Sequence, residues 1–220
     1  MLFPSALAAL AIMANPAAAA TWYFLRYYAP DGANFTTFSG EIVVPDLPQA
    51  AIYYLWPGLQ PRDSSGVYQN VMNGITGTWH FGSGWCCGNP TLSWGSQFDT
   101  YGGETVWFNN FLLSDNSAWN STIVREEDNT VIKDSFPIAY KSFNQAIFAI
   151  ELYDVTWDFG ALEFKNVKII AEGSSDSSWC TSDPENYNDA TVYSISGASA
   201  SVSDTTVTCT FDTVILESPA

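Results

Sequence analysis

The run AIFAIELYD, residues 146–154, sets a carboxylate, Glu151, inside an otherwise apolar stretch. On the two-residue period of a strand, Ala146, Phe148, Ile150 and Leu152 make one wholly apolar face. Ile147, Ala149, Glu151 and Tyr153 make the other. An ionised carboxylate is costly to bury unless it is paired or hydrogen-bonded. The second face therefore either meets water or belongs to a site in which Glu151 works as an acid or base. Asp154, Asp158 and Glu163 lie close by in sequence, so a paired-carboxylate glycosidase is one chemistry these residues allow. Nucleophilic triads are more constrained. His80 is the single histidine and would have to be the base of any Ser-His-Asp or Cys-His arrangement, and no G-x-S-x-G elbow is present. A lone histidine and the lack of a C-x-x-C spacing argue against a zinc site, and no cofactor is expected.

The four cysteines suit an oxidising compartment. Cys180 and Cys209 are the natural pair. That leaves the adjacent Cys86 and Cys87 to form a vicinal disulfide, bind something, or cross-pair with the other two. Residues 1–20, MLFPSALAALAIMANPAAAA, read as a signal peptide cleaved after Ala20, although only the amino terminus supplies positive charge. A membrane anchor is the rival reading, but Asn15 and Pro16 interrupt the run and no basic flank follows. Residues 21–220 then make one soluble domain with room for a substantial core. The sequons at Asn34 and Asn120 are candidate glycosylation sites. Against 23 Asp and Glu stand seven Lys and Arg, a net charge of −16. Such a surface repels nucleic acid and anionic membranes and suits a secreted, extracellular monomer in an acidic medium.

These residues must be positioned by strands. No helix beyond a turn or two is expected after residue 20. Short runs rich in β-branched and aromatic residues recur between Gly, Pro, Asn, Asp and Ser clusters. Ten are counted, among them TTFSGEIVV, AIYYLWPGL, VYQNVMNG, GTWHFG, QAIFAIELYD, LEFKNVKII and TTVTCTFDTVIL. The pattern predicts an all-β fold of two packed antiparallel sheets, a sandwich or jelly roll. GSGWCCGNPTLSWGSQFDTYGG is expected to be a long connection, and EGSSDSSWCTSDPENYND a second one pinned by its cysteine.

In order along the chain, several segments resemble the glutamic peptidases, the eqolisin family. AIFAIELYD is similar to a family strand that reads roughly Ala-Glu-aromatic-aliphatic-aliphatic-Glu, with Glu151 at the catalytic glutamate. GVYQNVMNGITGTWHFG resembles the family's strand with a catalytic glutamine, here Gln69, followed by a hairpin into an aromatic strand. FTTFSGEIVVPDLP, DFGALEFKNVKI and VSDTTVTCTF resemble its first and closing strands. The likeness covers most of residues 21–220. It departs at Ile147, where the family has a first glutamate, and at His80, the position nearest another glutamate of the family. The resemblance implies a concanavalin A-like sandwich and an endopeptidase that works in acid. In it Glu151 would deprotonate a water and Gln69 would donate to the developing oxyanion. Trp56, Trp79, His80 and Tyr153 are expected to line the substrate groove.

From the residues alone other readings stay open. Trp56, Trp79, Trp85 and Trp94 can be core, can line peptide subsites, or can stack on sugar rings. A glycan-binding or polysaccharide-cleaving protein on the same sandwich is therefore the main alternative, and a secreted interaction protein without chemistry is the third.

Overall fold

A computed structural model describes residues 20–187 and 192–219. The leader predicted over residues 1–20 thus lies outside the described residues, save Ala20. In chain order the strands are β1 (Ala20–Tyr28), β2 (Asn34–Val43), β3 (Ile52–Pro61), β4 (Val67–Asn73), β5 (Trp79–Cys86), β6 (Gln97–Thr100), β7 (Thr105–Leu112) and β8 (Trp119–Arg125). There follow β9 (Thr130–Phe136), β10 (Phe143–Tyr153), β11 (Leu162–Glu172), a one-turn helix α1 (Ser178–Thr181), β12 (Glu185–Asn186), β13 (Val192–Ser196), β14 (Ser199–Ser203) and β15 (Thr206–Glu217).

They form the two-sheet antiparallel sandwich that the alternating pattern predicts. One sheet runs β12-β1-β10-β3-β4-β5-β6, and the other β13-β15-β11-β2-β7-β8-β9 with β14 beside β15. Two expectations need correction. The stretch from Gly82 to Gly103 is not one long connection, because β5 continues to Cys86 and β6 forms over residues 97–100. The ten expected strands are fifteen among the described residues. Both cysteine alternatives resolve into local and long-range bridges, Cys86–Cys87 and Cys180–Cys209. The second ties α1 to β15, and so pins the connection as expected.

The inward faces bury large side chains edge to face. Phe148 of β10 meets Phe38 of β2 with ring centroids 5.2 Å apart and Phe164 of β11 at 4.9 Å. Phe143 packs on Trp119 at 4.9 Å. Such aromatic pairs add roughly 0.5–1.5 kcal/mol each beyond area burial. Within this apolar layer a polar bridge joins the sheets. The Asn70 amide donates to Ser83 at 3.0 Å and to Ser121 at 2.8 Å, and it accepts from Asn110 at 2.5 Å. All four residues are buried. Asn70 follows Gln69 on β4, so the bridge fixes the backbone that carries Gln69. Replacing Asn70 with Ala is expected to cost about 1–3 kcal/mol for each buried partner left unpaired. A fall in the denaturant midpoint at unchanged m-value checks this.

Candidate active site

Facing solvent, the seven-stranded sheet presents side chains in rows, because antiparallel pairing aligns residues across strands. One row reads Trp22, Glu151, Tyr54, Asn73, His80 and Asp99 across β1, β10, β3, β4, β5 and β6. Two residues along lie Phe24, Ala149 and Trp56, with Val71, Gly82 and Gln97 beyond them. Two further along lie Arg26, Ile147, Gly58, Gln69 and Gly84. Trp56, Val71, Ile147 and Ala149 form a small apolar cluster separate from the main core, and it is the floor of the site. A groove of about 480 Å³ opens above it. Glu151, Tyr153, Tyr54, Trp56 and Asn73 line one part, and Gln69, Cys86, Cys87 and Trp94 line another.

Glu151 is half-buried and held at both oxygens. The Tyr153 hydroxyl donates to Oε1 at 2.5 Å and the Trp56 indole donates to Oε2 at 3.4 Å. This settles how an apolar strand accommodates the carboxylate. Burial still dominates and raises its pKa above the ordinary 4.5, while the Tyr153 and Trp56 hydrogen bonds oppose the rise. The same contact pushes the Tyr153 phenol up to about 12, so that it stays a donor. Removing the hydroxyl in Tyr153→Phe removes a bond to the charged form. The acid limb of any Glu151-dependent pH profile is therefore expected to move to higher pH, which a kcat/KM–pH series reads.

Gln69 is only 5% exposed, yet it lines the groove. Its Oε1 is buried with no hydrogen-bond partner. Buried acceptors are ordinarily satisfied, so this one awaits a donor. Both sheet neighbours of Gln69, Gly58 and Gly84, lack side chains, and the space over them is taken by Val67 and Trp56 on one side and by Trp94 on the other, which encloses the amide.

Glu151 and Gln69 stand on the same groove but not side by side. They are two strands apart and four residues offset, which on a flat sheet separates their Cα atoms by roughly 16 Å. The twist of the sheet decides whether they face each other. The Gly74 N–H donates to the Tyr53 carbonyl at 3.2 Å, so Tyr54 and Asn73 are a non-hydrogen-bonded pair, and the amide and carbonyl of Tyr54 face β10. Viewed from the groove with β3 running upward, L-chirality then puts β10 on the right and β4 on the left. Glu151 sits lower right and Gln69 upper left. Right-handed strand twist raises that diagonal toward the viewer. The two residues occupy the raised ends of a trough whose bottom is Trp56 and Val71, and the carboxylate leans along it toward Trp56. The Trp56 indole spans the floor between them: its N–H donates to Glu151 at one end, and its ring lies against Gly58, the cross-strand neighbour of Gln69, at the other.

The other expected groove residues divide. Trp56 and Tyr153 line the groove. Trp79 does not: it is buried between the sheets, donates to the Pro45 carbonyl at 2.8 Å and packs on Tyr53. His80 lies on the groove face in the Glu151 row, but outside the groove lining. Its ring is engaged by Asp99 at 2.7 Å and Thr76 at 2.6 Å. Three strand spacings, roughly 14 Å, separate it from Glu151. Ile147 is buried in the floor beside Gly58. Arg26, in the same row, is committed to Glu185 and Gln145. Asn34 and Asn120, the sequon residues, are half-buried on β2 and β8 of the other sheet. The sequence reading missed the flanking glycines and the part played by Cys86 and Cys87 in the groove wall. The alternation Gly82-Ser83-Gly84 was the available signal, since it strips side chains from one face of β5. Among the described residues no cluster of three or more His, Cys, Asp or Glu is arranged to hold a metal ion.

Among solved structures, the chain is similar to scytalido-glutamic peptidase with a peptide-based transition-state analogue. The TM-score is 0.53 at 18% identity, covering 88% of this chain and 99% of that one. The same peptidase with another transition-state analogue inhibitor gives a TM-score of 0.52 at 17% identity over the same shares. The likeness is one of fold: a peptidase-type β-sandwich over most of the chain. No protein-family model and no curated protein matches the sequence.

Proposed function

We propose that this chain is a secreted endopeptidase of the glutamic-peptidase type, divergent in sequence, that hydrolyses extended peptides in acid. The observation that carries the reading is that Glu151 and Gln69 line one open groove. One is a half-buried carboxylate with a raised pKa, and the other a buried amide with an unpaired oxygen. Glu151, ionised, takes a proton from a water as that water attacks the scissile carbonyl carbon. Its acid form then gives the proton to the leaving amine. The Gln69 Nε2 donates to the oxygen that becomes negative, and it cannot be lost to titration in acid. Its Oε1 accepts an N–H of the bound peptide. A row of sugar-stacking rings finds no support in Trp56, which is buried and meets its neighbour Trp22 edge on at 81°, so this pair offers no coplanar platform. The apolar composition of residues 1–20, which reads as a leader, and the two disulfides support secretion.

The test incubates purified protein at about pH 3–4 with an unfolded protein and, in parallel, with a panel of neutral polysaccharides. Peptide fragments with new termini are the expected outcome. Oligosaccharide release without proteolysis by folded protein would replace the peptidase reading with the glycan one.

A further inference from the structure

Trp94 is half exposed, at 51%, although it belongs to the groove wall rather than to an outer surface. It lies in the connection between β5 and β6. Two hydrogen bonds just after it anchor that segment: the Gly95 N–H to the Ser83 carbonyl at 2.9 Å, and the Ser96 N–H to Asp134 at 3.2 Å. The indole is laid directly over Gly84, where a Cβ would overlap the ring. Gly84 is the cross-strand neighbour of Gln69. The sequence therefore keeps glycine at this position and brings an aromatic plane to within one strand of the buried, unpaired amide oxygen. Val71, Cys86 and Cys87 complete an apolar wall there.

We infer that Trp94, with Val71 and the Cys86–Cys87 pair, forms a subsite for a large apolar or aromatic side chain of a bound peptide, next to the bond held by Gln69. The inference rests on the peptidase reading and names its specificity. A sugar ring stacked on Trp94 would need polar partners for its several hydroxyls, and around Trp94 the groove offers two polar side chains, Gln69 and Gln97. A peptide supplies both the apolar side chain for the wall and the backbone N–H for the Gln69 oxygen. Trp94 touches the substrate's side chain and no reacting atom, so it governs selectivity.

The test uses two otherwise identical peptides that carry Phe or Ala at one fixed central position. The ratio of their kcat/KM values is expected to favour Phe by about tenfold or more, and to collapse toward unity in Trp94→Ala. Trp94→Phe should retain most of the ratio. Gly84→Ala, which displaces the ring without deleting it, should lose it in part. An unchanged ratio in Trp94→Ala, or an equal loss for both peptides, overturns the subsite. Direct binding of the same peptides to Glu151→Gln separates the two claims. Preferential binding of the Phe peptide that disappears in Glu151→Gln/Trp94→Ala upholds the subsite even where the wild type cleaves neither peptide, a result that sinks only the peptidase reading. Equal binding of both peptides, or displacement of neither by the other alongside saturable binding of a neutral oligosaccharide at Trp94, overturns the inference.

Discussion

Replacing Glu151 with Gln is expected to lower kcat on a peptide substrate by about 10²–10⁴-fold, with the fold intact. The substitution keeps size and the shorter of the two hydrogen bonds: an amide oxygen can still accept from the Tyr153 hydroxyl, which sits 2.5 Å from Oε1, while the long contact with the Trp56 N–H at 3.4 Å is lost. What it removes is the capacity to take a proton. A second, opposite effect accompanies the loss. The pKa of Glu151 is raised in the folded state by burial, above its ordinary 4.5. Between the ordinary and raised values the native protein binds more protons than the unfolded chain. Stability therefore falls as pH rises through that window, and the penalty is complete above it. Gln carries no such penalty. Thermal melts should place Glu151→Gln above the wild type near about pH 7, with the difference vanishing below the ordinary carboxylate pKa. A variant less active yet more stable is the signature of a strained functional carboxylate. A structural carboxylate would lose stability instead.

Replacing Gln69 with Ala should cost about 10²–10³-fold in kcat with a smaller change in KM, the pattern for a donor that acts on the developing oxyanion. The unpaired Oε1 makes a companion prediction. Truncation removes an orphaned buried polar atom, so the apo protein should lose little stability even though Gln69 is 95% buried by the complement of its 5% exposure. Steady-state kinetics and a denaturant titration on the same preparation separate the two effects. Gln69→Glu would place a second carboxylate on the groove and is expected to be as impaired as the alanine variant.

Much of this arrangement was legible in the sequence where strands carry a strict alternation. In β10 one face is Ala146, Phe148, Ile150 and Leu152, all buried, and the opposite parity put Glu151 on the other face. The sandwich followed from many such segments with turn residues between them. β9 was missed because it is an edge strand whose residues Thr130 to Ser135 alternate between half-buried and exposed, which leaves little apolar signal. β6 was missed because it is four residues long. The error over Trp79 has a plain cause. Trp79 and His80 are consecutive in a strand and must point to opposite faces, so both could not line one groove. The diagonal offset of Glu151 and Gln69 was beyond the sequence, since it depends on the register of two separate strand pairings and on the sheet's twist. Neither the orphaned oxygen of Gln69 nor the seat of Trp94 over Gly84 leaves any mark on local periodicity.

The central claim is that Glu151 and Gln69 act as one unit on one bound peptide bond. The most direct measurement is kcat/KM in acid for the wild type, Glu151→Gln, Gln69→Ala and the double variant, on one peptide substrate and with folding verified for each. Strong coupling is predicted: each single variant loses most of the activity, and the double variant loses far less than the product of the two losses. Wild-type activity persisting in either single variant, or losses that simply multiply, would contradict the account.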